Sequence, residues 1–277
     1  MNSVINLSQP IVSVEWLHDN LNADNLVILN GTIPKVVDSN SNNKETQIVG
    51  ARFFDIKKKF SDVSGEFPST FPSQGQFTKE AQLLGINNDS AIVVYDELGI
   101  YSSARVWWLF KSFGFNNVAV LNGGFPSWKK AGFQVEPKNK IKFGKGDFVA
   151  EYQPKYMQFF DDVKNASKHK THTILDARSS DRFKSLVPEL RAGLRSGTIP
   201  NSKSLPFSDL MTDGELKDKE DIEVLFSALA KKEDHIVFSC GSGITACVLA
   251  LGADISGYKN ISVYDGSWTE WGSLIKE

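Results

Sequence analysis

Two stretches of the chain decide its architecture: residues 91–128, AIVVYDELGIYSSARVWWLFKSFGFNNVAVLNGGFPSW, and residues 235–268, HIVFSCGSGITACVLALGADISGYKNISVYDGSW. Each opens with an apolar run of strand length, Ile92-Val93-Val94-Tyr95 in the first and Ile236-Val237-Phe238-Ser239 in the second. Each run meets one chemically active residue, Asp96 or Cys240, and passes into a Gly-containing loop. A helical stretch then runs to Gly114 or Gly257. A second strand run follows, Val118–Leu121 or Ile261–Tyr264, closed by a Gly turn and Trp128 or Trp268. Working outward, Val27-Ile28-Leu29-Asn30 matches Thr173-Ile174-Leu175-Asp176, and Ile48–Phe54 parallels Ile199–Leu205. The chain is a tandem duplication, and each half must be read as one folding unit.

Within each half, short apolar runs alternate with amphipathic stretches of helix length, around Gln82–Leu84 and at Ser103–Phe113, Asp221–Ala230 and Thr245–Ser256. That alternation predicts an α/β fold, with a mostly parallel sheet covered by helices on both faces. Ligands of such sheets sit beyond the carboxyl ends of the strands, which is where Asp96 and Cys240 fall. The basic, Gly/Pro-punctuated stretch Pro137–Asp147 reads as a linker, and the polar tract Val37–Glu45 as a loop insertion. The expected organisation is an N-terminal domain over 1–137, a linker over 138–153 and a C-terminal domain over 154–277.

Composition narrows the function classes. The 277 residues carry 31 Lys+Arg against 33 Asp+Glu, a formal net charge of −2, which argues against a nucleic-acid binder. Hydrophobic content of 41% with 23% charged residues is that of a folded globular protein. Two cysteines, Cys240 and Cys247, are too few for a disulfide scaffold and lack a zinc-site spacing. The first residues have neither a signal-peptide nor a transit-peptide pattern, and no apolar run reaches the length of a membrane span. A cytoplasmic protein with no membrane partner is expected.

The chemistry concentrates in Cys240-Gly241-Ser242-Gly243-Ile244-Thr245. Two glycines let the backbone curl tightly enough to aim several N–H groups at one point, and the following helix adds the positive end of its dipole. A thiol at that focus is expected to ionise more readily than a free one, and the same cradle would hold an anionic persulfide. A strand-ending cysteine can also be a small buried core residue. The Gly-Ser-Gly turn at the strand-to-helix junction separates Cys240 from that case, whereas Cys247, inside the helix, is expected to pack in the core.

The loop, the closing Tyr264-Asp-Gly-Ser-Trp-Thr-Glu-Trp271 and the duplication together resemble the tandem-domain rhodanese superfamily. The loop is most similar to that of its 3-mercaptopyruvate sulfurtransferases. The resemblance covers about Val12 to Trp271. It implies two rhodanese-like domains, the second catalytic and the first, with Asp96 in the cysteine's place, a structural partner. It also implies a mechanism in which Cys240 takes sulfur from a small-molecule donor, holds it as a persulfide and passes it to a thiol, a thioredoxin-like protein or cyanide. No metal or organic cofactor is expected. The family's carboxylate-binding arginines match Arg182 and Arg191; the nearby Arg178 and Arg195 match less well and are read as surface or structural charges. Thiosulfate-specific members typically carry Arg and Lys after the cysteine, where this chain has Gly241 and Ser242.

Several positions depart from the pattern. The family's His-Ile-Pro-Gly-Ala is replaced by Gln47-Ile-Val-Gly-Ala and Thr198-Ile-Pro-Asn-Ser, and Lys57-Lys58-Lys59 stands near where members place an Asp and a His. A Ser–His–Asp relay is therefore not available at those positions. The lysine triplet is expected to be a solvated face. Alternatives stay open: a thiosulfate sulfurtransferase, or a non-catalytic sulfur-carrier or interaction module. A Cys-x5-Arg phosphatase does not fit, because Ala246 stands where its arginine would be.

Overall fold

In the first half, five parallel strands form one sheet: β1 (Ile11–Val12), β2 (Leu26–Asn30), β3 (Arg52–Phe53), β4 (Ala91–Tyr95) and β5 (Val118–Leu121), in the order β1-β5-β4-β2-β3. The second half repeats this with β6 (Met157–Gln158), β7 (Thr173–Asp176), β8 (Ser202–Ser204), β9 (Ile236–Ser239) and β10 (Ile261–Tyr264), in the order β6-β10-β9-β7-β8. Register confirms the internal match residue by residue. Leu29 and Asn30 pair with Arg52 and Phe53, as Leu175 and Asp176 pair with Lys203 and Ser204. The computed structural model describes residues 4–33, 46–138 and 141–276, so the tract Val37–Glu45 lies outside the described residues.

Alternation along the strands explains the layers. On one face of the first sheet, Ile28, Val93, Tyr95 and Leu121 pack against helix α1 (Val14–Asp19) and against Phe125 and Trp128. On the other face, α2 (Gln74–Leu83) and α3 (Ser103–Ser112) contribute Phe77 and Phe110, with Phe113 at the end of α3, to an aromatic stack with Phe54, Phe60 and Phe148. Phe125 and Trp128 belong to α4 (Gly124–Lys130).

In the second half, Ile174, Val237 and Tyr264 pack on Val163 of α5 (Phe160–His169) and on Trp268 and Trp271. The short α6 (Ser180–Phe183) follows β7, and α7 (Lys219–Ser227) precedes β9. Behind β9 comes α8 (Ala246–Ile255), buried nearly all round because its opposite side is covered by Leu210, Ile222 and Phe226 around Gly252. Trp268 and Trp271 lie on α9 (Ser267–Leu274).

Contacts divide the chain into two compact units. One comprises Met1–Asp62, Phe71–Tyr152 and Asp213–Glu215; the other comprises Val63–Thr70, Gln153–Thr212 and Leu216–Glu277. The end of the linker is held along α2 by a ladder of side chains: Tyr152 N–H donates to Gln74 Oε1 (2.9 Å), Ala150 N–H to Thr78 Oγ1 (3.0 Å), and Gln82 Nε2 to Phe148 O (2.9 Å). Residues Lys57–Lys59 are exposed, as expected of a solvated face. Among the described residues, no helix is long and apolar enough to cross a membrane.

At the amino ends of β7 and β9, the rings of His172 and His235 lie 4.0 Å apart, and His235 Nε2 sits 3.0 Å from Ser262 Oγ. Burial, and then the charge of His172, push the His235 pKa down from 6.5 to about 4. The unfolded chain therefore takes up this proton first, so the stability His235 contributes is complete above pH 6.5 and is lost as pH falls towards about 4. Discounted for its half-exposed position, the effect is about 1 kcal/mol. Thermal unfolding of the native protein and of His235→Gln across that window checks this; the gap between them narrows as pH falls.

Candidate active site

Strand β9 ends at Ser239 and places Cys240 at the sheet's carboxyl edge, with residues 241–245 turning into α8. Gly243 adopts φ +72°, the left-handed conformation that lets the loop reverse there. Cys240 is a free cysteine with 2% exposure, beneath a rim of half-buried Gly241 and Ser242. Ile244 and Thr245 are buried. Cys247 is fully buried in α8 with its thiol 3.3 Å from Gly243 O, the core role expected of it.

Backbone accounting defines what the loop can do. Cys240 N–H and Gly243 N–H both donate to Ser267 Oγ, each at 3.1 Å. Among the described residues, the N–H groups of Gly241, Ser242, Ile244, Thr245 and Ala246 have no acceptor. Three of these residues, Ile244, Thr245 and Ala246, are buried, and buried amides without partners are costly and rare, so their clustering is the chemistry of an anion-binding turn.

The first repeat shows that such a loop holds an anion. There Asp96, fully buried, accepts from Leu98 N–H (2.9 Å) on one oxygen. Its other oxygen accepts from Tyr101, Ser102 and Ser103 N–H (2.8–2.9 Å) and from Ser103 Oγ (2.7 Å). Counted back from the helix starts, Tyr101, Ser102 and Ser103 correspond to Ile244, Thr245 and Ala246. The amides that grip a carboxylate in one repeat are the ones left open beside the thiol in the other.

The two arginines expected to bind substrate both reach this loop. Arg182 brings its Nη2 to 3.2 Å from where a side chain on Gly241 would begin, and its Nε–H is buried with no acceptor. Arg191 Nη1 lies 3.4 Å from Thr269 Oγ1, which donates to Gly241 O at 2.5 Å. Both stand on a segment fixed from beneath by Arg178, which is internal and not a surface charge. Its guanidinium is unexposed and donates to Asp176 (2.6 Å) and Glu189 (2.7 Å). Glu189, itself buried, bridges to Arg182 at 2.5 Å. Burial works against the Arg178 charge, but Asp176 and Glu189 outweigh it and hold its pKa above the ordinary value.

The guanidinium groups of Arg178 and Arg195 each stand over the Trp268 ring at 4.8 Å, and its indole N–H donates to Arg195 O (2.9 Å). Arg195 is thus a structural charge.

Sequence reasoning missed Glu189, Ser267 and Thr269. Glu189 could have been suspected as one of two acids, with Asp181, in a span of four arginines; Ser267 and Thr269 give no local signal. Gln47, in the place of the family's histidine, is buried and donates to Ala51 O (2.9 Å) and Glu136 Oε1 (2.8 Å), a bracing role. Among the described residues, no group of three or more His, Cys, Asp or Glu could hold a metal ion.

A family model described as the rhodanese-like domain matches residues 13–131 and 160–274. The chain is 37% identical to the thiosulfate/3-mercaptopyruvate sulfurtransferase 1, mitochondrial, of Arabidopsis thaliana, covering 97% of this chain and 77% of that protein. It is 33% identical to the 3-mercaptopyruvate sulfurtransferase of Escherichia coli K12, over 95% and 94%. The crystal structure of the Escherichia coli 3-mercaptopyruvate enzyme superposes with a TM-score of 0.83 at 30% identity, covering 94% of this chain and 99% of that one.

Replacing Asp96 by Ala removes the acceptor of five donors, three of them in buried hydrogen bonds, so the first unit is expected to lose about 3 kcal/mol or more of stability. Denaturant unfolding of Asp96→Ala against the native protein measures it.

Proposed function

The chain belongs to the rhodanese-like family, and from that premise we propose that it is a 3-mercaptopyruvate sulfurtransferase working through a persulfide on Cys240. The observation that carries this reading is the set of amides without acceptors that follows a cysteine whose loop side chains are neutral, with the guanidinium of Arg182 standing against Gly241 and that of Arg191 against Thr269. A thiosulfate dianion calls for positive charge on the loop itself. A 2-keto acid instead presents a carboxylate at a distance from its sulfur, which suits guanidinium groups standing outside the loop. The unpaired Nε–H of Arg182 is a donor available to that carboxylate.

In the proposed reaction the Cys240 thiolate attacks the thiol sulfur of 3-mercaptopyruvate. The S–S bond forms as the C–S bond breaks, and the electron pair leaves on carbon as the enolate of pyruvate. The new persulfide is the more acidic thiol of the pair, so its own S–H proton, directly or through water, converts the enolate to pyruvate. This dispenses with the histidine that the chain lacks in the family's positions. The persulfide anion then rests on the amides of Ile244, Thr245 and Ala246, as the Asp96 carboxylate does on their counterparts. A thiolate acceptor, a reduced thioredoxin-like protein or cyanide attacks the outer sulfur and returns Cys240 as thiolate. No step calls on a metal or an organic cofactor.

Initial rates with 3-mercaptopyruvate and thiosulfate, each with a thiol and with cyanide as acceptor, test the reading. A clear preference for mercaptopyruvate with pyruvate release is expected; a thiosulfate preference overturns it. Cys240→Ser should abolish turnover and the gain of one sulfur in mass while leaving the unfolding temperature unchanged. Arg182→Ala should raise KM for mercaptopyruvate about tenfold or more, with a smaller fall in kcat.

A further inference from the structure

The backbone bonds align the two repeats at their last turn more closely than the tryptophans do. Phe125 N–H donates to Asp96 O, and Trp268 N–H to Cys240 O, both at 3.0 Å. Gly124 is therefore the counterpart of Ser267. Both are in the left-handed region, Gly124 at φ +55° and Ser267 at φ +49°. In the first repeat glycine is obligatory, because a Cβ there would strike the carbonyl oxygens of Gly99 and Asp96. The loop of the second repeat is one residue shorter, and there the position equivalent to Gly124 carries a side chain, that of Ser267. A serine forced into a conformation that glycine adopts freely, and buried completely, marks a position where the side chain is needed.

What the side chain does is visible in its bonds. The Ser267 hydroxyl accepts from Cys240 N–H and Gly243 N–H, donates to Tyr264 O (2.9 Å) and stands 4.0 Å from Cys240 Sγ. One oxygen thus ties both ends of the Cys240–Gly243 turn to the end of strand β10. We infer that Ser267 is a positioning residue for the sulfur chemistry: it clamps the turn so that the amides of Ile244, Thr245 and Ala246 stay directed at the sulfur. In the first repeat the clamp is unnecessary, because the Asp96 carboxylate, permanently present, organises its own loop. In the second repeat the anion comes and goes, and the loop must keep its shape when the charge is absent. The inference rests on the proposed role of Cys240, but its test does not require the substrate to be the proposed one.

The test compares the native protein with Ser267→Gly and Ser267→Ala. Glycine relieves the backbone strain and removes the hydroxyl; alanine keeps the strain and removes the hydroxyl. The measurements are the unfolding temperature, the pH profile of Cys240 alkylation by iodoacetamide, and kcat and KM with mercaptopyruvate. Ser267→Gly is expected to unfold within about 3 °C of the native protein, lost hydrogen bonds and relieved strain offsetting each other. Both variants should be alkylated about tenfold more slowly near neutral pH, with the profile displaced to higher pH. Both should lose about tenfold or more in kcat with little change in KM. A Ser267→Gly variant with the native alkylation profile overturns the inference, as does loss of the fold in both variants, which would make the residue structural. Should the native protein fail to turn over mercaptopyruvate, the proposed function falls, while the alkylation comparison still decides the role of Ser267.

Discussion

Everything at the site depends on one constraint: a peptide N–H buried without an acceptor is expensive, and among the described residues the turn that follows Cys240 has three of them, on Ile244, Thr245 and Ala246. A parallel strand delivers Cys240 to the sheet's edge, and the turn into α8 bends too sharply for its amides to find carbonyls of their own. The free energy withheld from the loop's hydrogen bonding is available to whatever anion forms on the cysteine. The two repeats make complementary use of one geometry. The first supplies the acceptor covalently, through the Asp96 carboxylate; the second has Cys240 in that place.

Around that loop, the charge is arranged in layers. Asp176 and Glu189 hold Arg178 in the interior, Glu189 passes the connection to Arg182, and the Trp268 ring carries both Arg178 and Arg195 against it. Buried ion pairs are weak contributors to net stability, since desolvation offsets much of their attraction. Here they fix the position of an arginine whose remaining donor is unpaired. Trp268 also connects this network to the loop, since its own N–H is bonded to Cys240 O. Cysteine, arginine and tryptophan are thereby held in one rigid frame.

Much of this was legible beforehand. Four-residue strand runs built mainly of apolar side chains, half or more of them β-branched or aromatic, lead into glycine turns, and their spacing identifies β4, β5, β9 and β10 without reference to packing. The Gly-Ser-Gly turn identifies Cys240 as more than a core residue, since such a turn is wasteful in any other setting. Arg182 and Arg191 were found by resemblance; nothing in their local sequence distinguishes them from solvent-facing charges. Arg178 illustrates the limit. Its neighbours Asp176 and Ser179 look like ordinary loop residues, and only the approach of Glu189 and Trp268 turns it into a buried anchor.

The sequence by itself determined the duplication, the order of strands and helices, and which of the two repeats carries a cysteine at the strand-to-loop junction, because those follow from local periodicity and residue identity. Only the tertiary structure decided which amides remain without acceptors, that Ser267 replaces a glycine in a strained conformation, and that Glu189 joins two arginines. Each of these depends on segments far apart in the chain meeting at one sheet edge, and a hydrogen bond between distant segments leaves no periodic trace in either of them.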